Sequence, residues 1–265
     1  MLAHDMARAS GGTFVLRIED IDQSRARPCW EARILDDLRW LGLDWPAPVW
    51  RQSERLAEYG AALARLADMD LLYPCACRRR DVQAALGAPQ EGDRRLGPDG
   101  PVYPGTCRAR PMADRRAGDA LRLHMGRALR RLGRGGGFTE TGPAHAGSHL
   151  LNPDTLLRGV GDVVLARPGW GTSYHLAVTL DDAAQGVDTV VRGEDLFEAT
   201  QIHVLLQRLL GLATPVYHHH RLIRDAAGKR LAKRDDARAI AKFRRDGATP
   251  EDLRRMVGLG PAGRP

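Results

Sequence analysis

Three cysteines in the middle of the chain have the spacing of metal ligands: a Cys75-x-Cys77 pair followed by Cys107. Tetrahedral zinc takes four ligands from Cys, His, Asp or Glu, so a fourth is still needed, and His124 is one candidate. Buried, reduced cysteines are the alternative, but the segment is rich in Gly and Pro and short of core-forming residues. A zinc site is therefore the favoured interpretation. Cys29, inside a helical pattern, is expected to be a small buried residue.

Charged side chains follow two apolar runs that have the composition of buried strands. Residues 13–18 lead into Glu19 and further carboxylates, and residues 187–192 end on Arg192. Ligands of α/β sheets bind at the carboxyl ends of strands. There a carboxylate can accept hydrogen bonds from an ammonium group, and a guanidinium can bind a carboxylate through its planar fork. Each residue alone has a plainer explanation: an acidic helix cap or surface turn for Glu19, and a surface charge for Arg192.

Hydrophobic periodicity predicts the elements that would carry these residues. Besides the strand at 13–18, we expect helices at 28–42, 53–69, 174–184 and 196–210, strands at 162–166, 187–192 and 216–223, and short helices after a polar loop at 224–236. Alternating strands and helices indicate an α/β protein. From residue 73 to about 147 the periodicity is weak, as in an insertion. The predicted division is 1–72 for the first part of the α/β domain, 73–158 for an insertion with the zinc site, and 159–265 for the second part.

Three strings occur in the order and at separations found in one enzyme family: LRIEDID at 16–22, GTSYHLA at 171–177 and VVRGED at 190–195. A fourth string, GKRLAKR at 228–234, is a degenerate match to a signature loop of the same class. With them the chain resembles, over nearly its whole length, the glutamyl-Q tRNA(Asp) synthetases, short ATP-dependent relatives of glutamyl-tRNA synthetase. The resemblance implies a class I synthetase Rossmann-like catalytic domain, of the α/β class, with an inserted zinc-binding subdomain.

The resemblance also implies roles for individual residues. In the family, the residues matching Glu19, Tyr174 and Arg192 bind glutamate, the first of them through the α-ammonium group. Taken singly, Tyr174 would be a core aromatic. The family pattern Cys-x-Cys…Tyr-x-x-x-Cys makes Tyr103 the fourth zinc ligand beside the three cysteines.

The string at 228–234 occupies the position of the class I signature loop, Lys-Met-Ser-Lys-Ser, and matches it imperfectly. Aligned on its central leucine, Arg230 replaces the first lysine and Ala232 the serine, while Lys233 keeps the second lysine. Of the 40 basic residues only three are lysines, so two lysines in one loop suggest a need for a compact ammonium group. Lys233 is expected to bind ATP and to stabilise charge on the phosphates as pyrophosphate leaves. A solvated basic loop is the alternative.

Three consecutive histidines at 218–220 do not have the geometry of a metal site. Successive strand residues point to opposite faces of a sheet. At most one imidazole, that of His219, is therefore expected to face the nucleotide pocket.

The first strand and the ATP-binding His motif of class I synthetases have no counterpart in this sequence. Residues 1–9 resemble the tail of the helix that follows that motif, and His4 lies too close to the next strand to replace it. Losing about six buried apolar side chains at roughly 2 kcal/mol each would remove about 12 kcal/mol, comparable with the ~5–15 kcal/mol stability of a domain. We therefore expect that translation starts upstream of Met1.

The expected activity is that of a ligase using ATP, with Mg²⁺, to activate L-glutamate and transfer it to queuosine at the first anticodon position of tRNA(Asp). About thirty residues follow Lys233, which leaves no room for the anticodon-binding region of ordinary glutamyl-tRNA synthetases. A fragment of a glutamyl-tRNA synthetase is one alternative. A catalytically inactive, zinc-stabilised RNA-binding relative is the other.

Composition bears on the partners and on the compartment. The net charge of +7 and the basic stretch at 221–255 favour a polyanionic partner, although a compositionally biased genome would also explain the arginines. No apolar run approaches the ~20 residues of a membrane span, and no charged-then-apolar leader opens the chain. A cytoplasmic monomer is expected.

Overall fold

A computed structural model describes residues 1–87, 96–133, 135–224 and 239–261. The predicted signature loop, including Lys233, lies outside these ranges. The chain forms two compact units, Met1–Gln52 with Arg221–Pro265, and Ser53–His220. The division at residues 72 and 158 stays a prediction. Within the described ranges, no helix has both the length and the hydropathy needed to cross a membrane.

Helices and strands alternate along much of the chain. The helices are α1 (Leu2–Ala9), α2 (Pro28–Trp40), α3 (Leu56–Asp68), α4 (Arg79–Gly87), α5 (Met125–Leu132), α6 (Tyr174–Ala184), α7 (Thr200–Leu210), α8 (Ile240–Arg245) and α9 (Pro250–Met256). The strands are β1 (Arg17–Ile18), β2 (Trp50–Arg51), β3 (Leu72–Cys75), β4 (Leu96–Gly97), β5 (Gly100–Pro101), β6 (Ala120–Leu123), β7 (Gly137–Glu140), β8 (Gly147–Leu150), β9 (Val164–Ala166), β10 (Thr189–Gly193) and β11 (Val216–His220).

The unit that contains both chain ends holds a short parallel strand pair. β1 pairs with β2, with Arg17 opposite Trp50, so regular pairing in the predicted strand at 13–18 is confined to its last two residues. α2 begins at Pro28, which suits the first helical turn because the N–H that proline lacks would find no helical partner there. The prediction that Cys29 is buried is wrong. Its side chain is exposed because α2 has no buried position.

The core of the other unit combines an antiparallel sheet with several helices. The strand order is β3–β6–β9, with β6 in the centre. Side chains from α3, α5, α6 and α7 join those of the sheet in one apolar cluster. The helix predicted to start at Ser53 starts instead at Leu56, because residues 52–55 form a 3-10 turn and no side chain caps the helix.

A second sheet in the same unit carries the predicted glutamate-binding strand. β10, β11 and β7 are parallel neighbours, and β8 is antiparallel to β7 at the edge. The helix predicted at 174–184 has these bounds, and the Ser173 hydroxyl caps it by accepting a hydrogen bond from the N–H of Leu176. α7 starts at Thr200, four residues later than predicted, because Glu194–Leu196 forms a 3-10 turn first. β11 ends at His220, three residues earlier than predicted.

Candidate functional site

The three cysteines and the tyrosine of the predicted zinc site lie together. Cys75 ends β3, Cys77 lies in the loop before α4, and Tyr103 and Cys107 lie in the loop after β5. The three sulfur atoms are all within 4.8 Å of one another. The Tyr103 hydroxyl is 3.4 Å from the sulfurs of both Cys75 and Cys77, and the sulfurs of Cys77 and Cys107 are 3.6 Å apart. We call these four residues the thiol cluster.

The spacing of these atoms fits the dimensions of a tetrahedral zinc site. Zinc–sulfur bonds of about 2.3 Å place two sulfurs about 3.8 Å apart, and an oxygen ligand at about 2.0 Å lies about 3.5 Å from each sulfur. The observed separations of 3.6 and 3.4 Å are close to these values. His124, the other candidate for the fourth ligand, has a different role: its Nδ1 caps α5 by accepting the N–H of Arg127 at 3.3 Å.

The surroundings of the thiol cluster shift the pKa values of its thiols in opposite directions. Burial raises the pKa of the Cys77 thiol to about 11. Burial acts in the same direction on Cys107, but hydrogen bonds from the Tyr103 hydroxyl and the Ala76 N–H outweigh it and lower the pKa of Cys107 to about 7. Burial and hydrogen bonds to the thiols raise the pKa of Tyr103. Zinc binds thiolates, so a metal ion would release protons from the groups with raised pKa values.

One buried carboxylate connects the cysteine-bearing segments to the core. Asp162, 3% exposed, accepts hydrogen bonds from the Tyr73 hydroxyl at 2.6 Å and the Arg108 Nε at 2.6 Å. Tyr73 lies on β3, two residues before the first cysteine, and Arg108 directly follows the last one. The same carboxylate accepts the N–H of Met125 at 2.9 Å, at the start of α5. Asp162 therefore positions both segments that supply the thiols.

The Arg192 guanidinium donates hydrogen bonds to three side chains of its own compact unit. It lies on β10 opposite His219 of β11. Its Nε donates to His219 Nε2 at 3.1 Å, its Nη1 to His203 Nδ1 at 2.9 Å, and its Nη2 to the Thr200 hydroxyl at 2.7 Å. The guanidinium carbon is 5.1 Å from the centre of the Tyr217 ring. Thr200 and His203 both belong to α7, so this helix and β11 together fix the guanidinium.

Two further partners extend these contacts. His219 Nδ1 is hydrogen-bonded to Glu140 Oε2, and Glu140 Oε1 accepts the N–H groups of His219 at 2.8 Å and Gly142 at 2.5 Å. On the other side, His203 Nε2 lies 3.0 Å from His175 Nδ1 on α6. Glu140, His203 and His219 are each 2% exposed or less. We use the name Arg192 network for Arg192, Thr200, His203, His219, His175 and Glu140.

The imidazoles that accept from Arg192 are neutral near pH 7. Burial lowers the pKa of His203 well below its ordinary value, and the charge of Arg192 acts in the same direction. Burial also lowers the pKa of His219 and outweighs its hydrogen bond to Glu140. Burial opposes ionisation of Glu140, but the N–H groups and the imidazole bound to it lower its pKa. In the part of the chain that the structure describes, no carboxylate pairs with Arg192, so its charge is available to an anionic ligand.

Tyr174 lies close to the same group of side chains. It is the first residue of α6, and its ring centre is 5.8 Å from that of His203, the imidazole that binds Arg192. Glu19 lies in the other compact unit, directly after β1, where its carboxylate is 3.9 Å from Arg17 Nη2 and its side chain is 47% exposed. The structure thus brings two of the predicted glutamate-binding residues to one imidazole.

The histidine triplet follows the predicted alternation. His219 is buried, whereas His218 and His220 are partly exposed on the other face of β11. The partners of Arg192 were not predicted. His203 sits on the buried face of an amphipathic helix, and Glu140 ends a strand in a segment of weak periodicity. One sequence signal could have identified His203: the apolar periodicity of its helix places this polar residue on the buried face.

Comparison with known proteins gives consistent matches. Residues 1–120 and 151–261 match the catalytic domain of the class I tRNA synthetases (E and Q). A glutamyl-Q tRNA(Asp) synthetase of Rhodobacter capsulatus is 63% identical over 98% of this chain and 92% of its own length. One from Nocardia farcinica is 45% identical over 96% of this chain and 75% of its own length.

Solved structures share the fold. A glutamate tRNA ligase from Elizabethkingia meningosepticum, crystallised with its amino acid, superposes with a TM-score of 0.72 at 24% identity. A glutamate-tRNA synthetase from Elizabethkingia anophelis gives 0.73 at 23%. Each alignment covers 97% of this chain and 56% of the solved one, so the chain spans little more than half the length of these structures.

Proposed function

This chain belongs to the glutamyl-Q tRNA(Asp) synthetases of the class I tRNA synthetase family and is a ligase, and we propose that it activates glutamate with ATP and esterifies queuosine of tRNA(Asp) with it. The observation that carries the proposal is Arg192, whose hydrogen-bond partners are all neutral. A guanidinium fixed in this way keeps its full charge for a substrate carboxylate. Glutamate supplies such a group.

The proposed residues divide the first step between them. Arg192 binds a carboxylate of glutamate, Tyr174 contacts the bound amino acid, and Glu19 accepts hydrogen bonds from its ammonium group. The α-carboxylate attacks the α-phosphorus of ATP and pyrophosphate leaves, with its charge stabilised by Lys233. Mg²⁺ carried by ATP would supply further positive charge to the phosphates. A queuosine hydroxyl then attacks the mixed anhydride, which forms the ester and releases AMP.

We propose a structural role for zinc in the thiol cluster. Cys75, Cys77, Cys107 and Tyr103 would hold the ion, and the separations of their donor atoms fit a closed tetrahedral site. A closed site supplies folding energy, not Lewis-acid chemistry. The chain contributes the preset positions of the ligands, through Asp162.

The activity is tested in two assays with the protein as it is translated in the cell, including any residues encoded upstream of Met1. Glutamate-dependent exchange of pyrophosphate into ATP reports activation, and transfer of labelled glutamate reports the acceptor. We expect exchange without tRNA, and transfer to tRNA(Asp) that carries queuosine but not to the same tRNA lacking it. Equal charging of unmodified tRNA(Glu) would contradict the proposed acceptor. Absence of exchange would favour an RNA-binding relative without catalysis.

A further inference from the structure

The glutamate-binding arginine is oriented by imidazoles whose proton positions are themselves fixed by neighbours. We propose that Glu140 and His203 are positioning residues for glutamate binding: each ensures that an unprotonated imidazole nitrogen faces the Arg192 guanidinium. This inference rests on the proposed function, because it takes Arg192 as the group that binds the substrate carboxylate. Neither residue is proposed to touch glutamate itself.

The hydrogen-bonded series Arg192–His219–Glu140, which we call the first arm, fixes the tautomer of His219. A carboxylate is acceptor-only, so the Nδ1 of His219 that faces Glu140 Oε2 must carry the proton. The Nε2 of the neutral ring is then unprotonated and accepts from Arg192 Nε at 3.1 Å. Glu140 cannot turn away easily, because its other oxygen is held by the N–H groups of His219 and Gly142.

The series Arg192–His203–His175, which we call the second arm, repeats this arrangement on the other side of the guanidinium. His203 Nδ1 accepts from Arg192 Nη1 at 2.9 Å, so in the neutral ring its Nε2 carries the proton and donates to His175 Nδ1 at 3.0 Å. The remaining nitrogen of His175 points toward Asp99, with 3.8 Å between His175 Nε2 and Asp99 Oδ1. A carboxylate therefore stands at the outer end of each arm, and neutral imidazoles stand next to the guanidinium.

This order of groups suits an arginine that must bind an anion. A carboxylate placed directly on Arg192 would hold it equally well but would neutralise the charge that the substrate needs. A guanidinium has five N–H donors, and the two imidazoles and the Thr200 hydroxyl use three of them. Two donors are left, which is the number that a bidentate carboxylate accepts.

The substitution Glu140→Gln tests the first arm with almost no change in volume. The amide oxygen can keep the two backbone N–H bonds, which turns the NH₂ group toward His219 Nδ1. That nitrogen must then accept, so the proton moves to Nε2 and opposes the Nε–H of Arg192. In the pyrophosphate exchange assay we expect the KM for glutamate to rise roughly tenfold or more, as for loss of a charge-assisted hydrogen bond, while kcat and the KM for ATP stay within about twofold.

A pair of substitutions tests the second arm. His203→Asn places an amide oxygen close to the position of Nδ1, so it should retain the hydrogen bond and keep the KM for glutamate within about threefold. His203→Leu fills the space without an acceptor and should raise that KM roughly tenfold. The control Glu198→Gln makes the same chemical change as Glu140→Gln on an exposed side chain and should leave all constants unchanged. Thermal unfolding of each variant identifies any that fails to fold.

The outcomes separate this inference from the proposed function. No exchange by the unmodified protein, translated from its natural start, contradicts the proposed function itself. Normal exchange, with an unchanged KM for glutamate in Glu140→Gln and equal constants in His203→Asn and His203→Leu, overturns the positioning role. A parallel rise in the KM for ATP and for glutamate also overturns it, because that pattern indicates general damage to the fold. A selective rise in the glutamate KM, with rescue by asparagine, supports it.

Discussion

The thiol cluster takes its donor atoms from residues 75–107, whereas the Arg192 network takes its side chains from β7, β10, β11, α6 and α7. In the thiol cluster, three sulfurs and a phenol oxygen face one another with hydrogen bonds as their main contacts. In the Arg192 network, both ring nitrogens of His203 and of His219 have hydrogen-bond partners. The first region has donor atoms at the spacing of a metal site. The second is complete in itself and presents one unneutralised charge.

The largest expected effect is loss of a thiol ligand. Cys75→Ser should abolish binding of zinc, of which we expect one ion per unmodified chain. The free energy of unfolding should fall on the order of 5 kcal/mol, a part of the ~10–16 kcal/mol with which structural zinc binds small domains. Metal analysis and urea unfolding measure the two quantities.

Cys29→Ser is the matched control, because that thiol is exposed and outside the cluster. It should leave the zinc content unchanged and alter the free energy of unfolding by less than about 0.5 kcal/mol. Full zinc content in Cys75→Ser would contradict the assignment of the ligand. Chelation of the unmodified chain should reproduce the destabilisation by Cys75→Ser.

A somewhat smaller effect is expected from the carboxylate that supports the thiol cluster. Asp162→Asn breaks a buried ion pair with Arg108 and should cost about 3 kcal/mol, at the lower end for buried pairs because Arg108 is partly exposed. Asp154→Asn, in which an exposed carboxylate 4.0 Å from Arg158 is altered, should cost less than about 0.5 kcal/mol. Urea unfolding of the two variants gives the comparison. Equal costs would show that Asp162 does not anchor the cluster.

The two regions also differ in how far the sequence predicts them. The cysteines lie close together in the chain, and a ligand spacing is a local pattern, so the cluster could be predicted, with Tyr103 added only by family resemblance. Arg192 was predicted from its place at the end of an apolar strand together with the family resemblance, and Tyr174 from the resemblance alone. Glu140 and His203 could not be predicted. Glu140 meets His219 because β7 lies next to β11, and His203 meets Arg192 because of where α7 packs, and no local signal carries either arrangement.

The exposed Cys29 shows another limit of local patterns. The helical spacing of apolar residues predicted α2 and a buried face for it, and the helix is present. Its burial, however, depends on what packs against the helix. Trp30 and Ile34 on α2 are 52% and 46% exposed. Periodicity specifies which face could be buried, not whether a partner covers it.

The Arg192 network should make stability depend on pH. The pKa of His203 in the folded chain lies below its unfolded value, so between the two the unfolded chain binds more protons and stability falls as the pH falls. His219 acts in the same direction. From pH 7 to pH 5 we expect the free energy of unfolding to drop by up to about 1.4 kcal/mol per pH unit for each imidazole.

Urea unfolding at several pH values tests this, with His203→Asn as the comparison. The variant has one fewer titrating imidazole, so its stability should fall less steeply between pH 7 and pH 5. An equal slope in both proteins would mean that His203 is not held neutral. Glu140 does not interfere in this range, because its lowered pKa affects stability only at more acidic pH.

The smallest expected effect concerns the cation beside the thiol cluster. The Arg122 guanidinium lies 3.8 Å from the centre of the Tyr103 ring, and its Nε donates to Cys75 Sγ at 3.3 Å while Nη1 donates to the Asp162 carbonyl at 2.7 Å. Lysine keeps the charge but has no planar fork to make these contacts together. Arg122→Lys should therefore weaken zinc binding only roughly tenfold, at the low end for residues that support metal ligands. Competition with a chelator measures this.

Arg122→Lys also tests whether the thiol cluster and the Arg192 network act independently. If the cluster is structural and the network binds substrate, Arg122→Lys saturated with zinc should have an unchanged KM for glutamate, although its zinc dissociates more readily. The exposed Arg131→Lys should alter neither quantity. A glutamate KM that follows zinc affinity would mean that the cluster acts on the substrate site as well as on stability. The separation of roles would then fail, because the metal would control the geometry around Arg192.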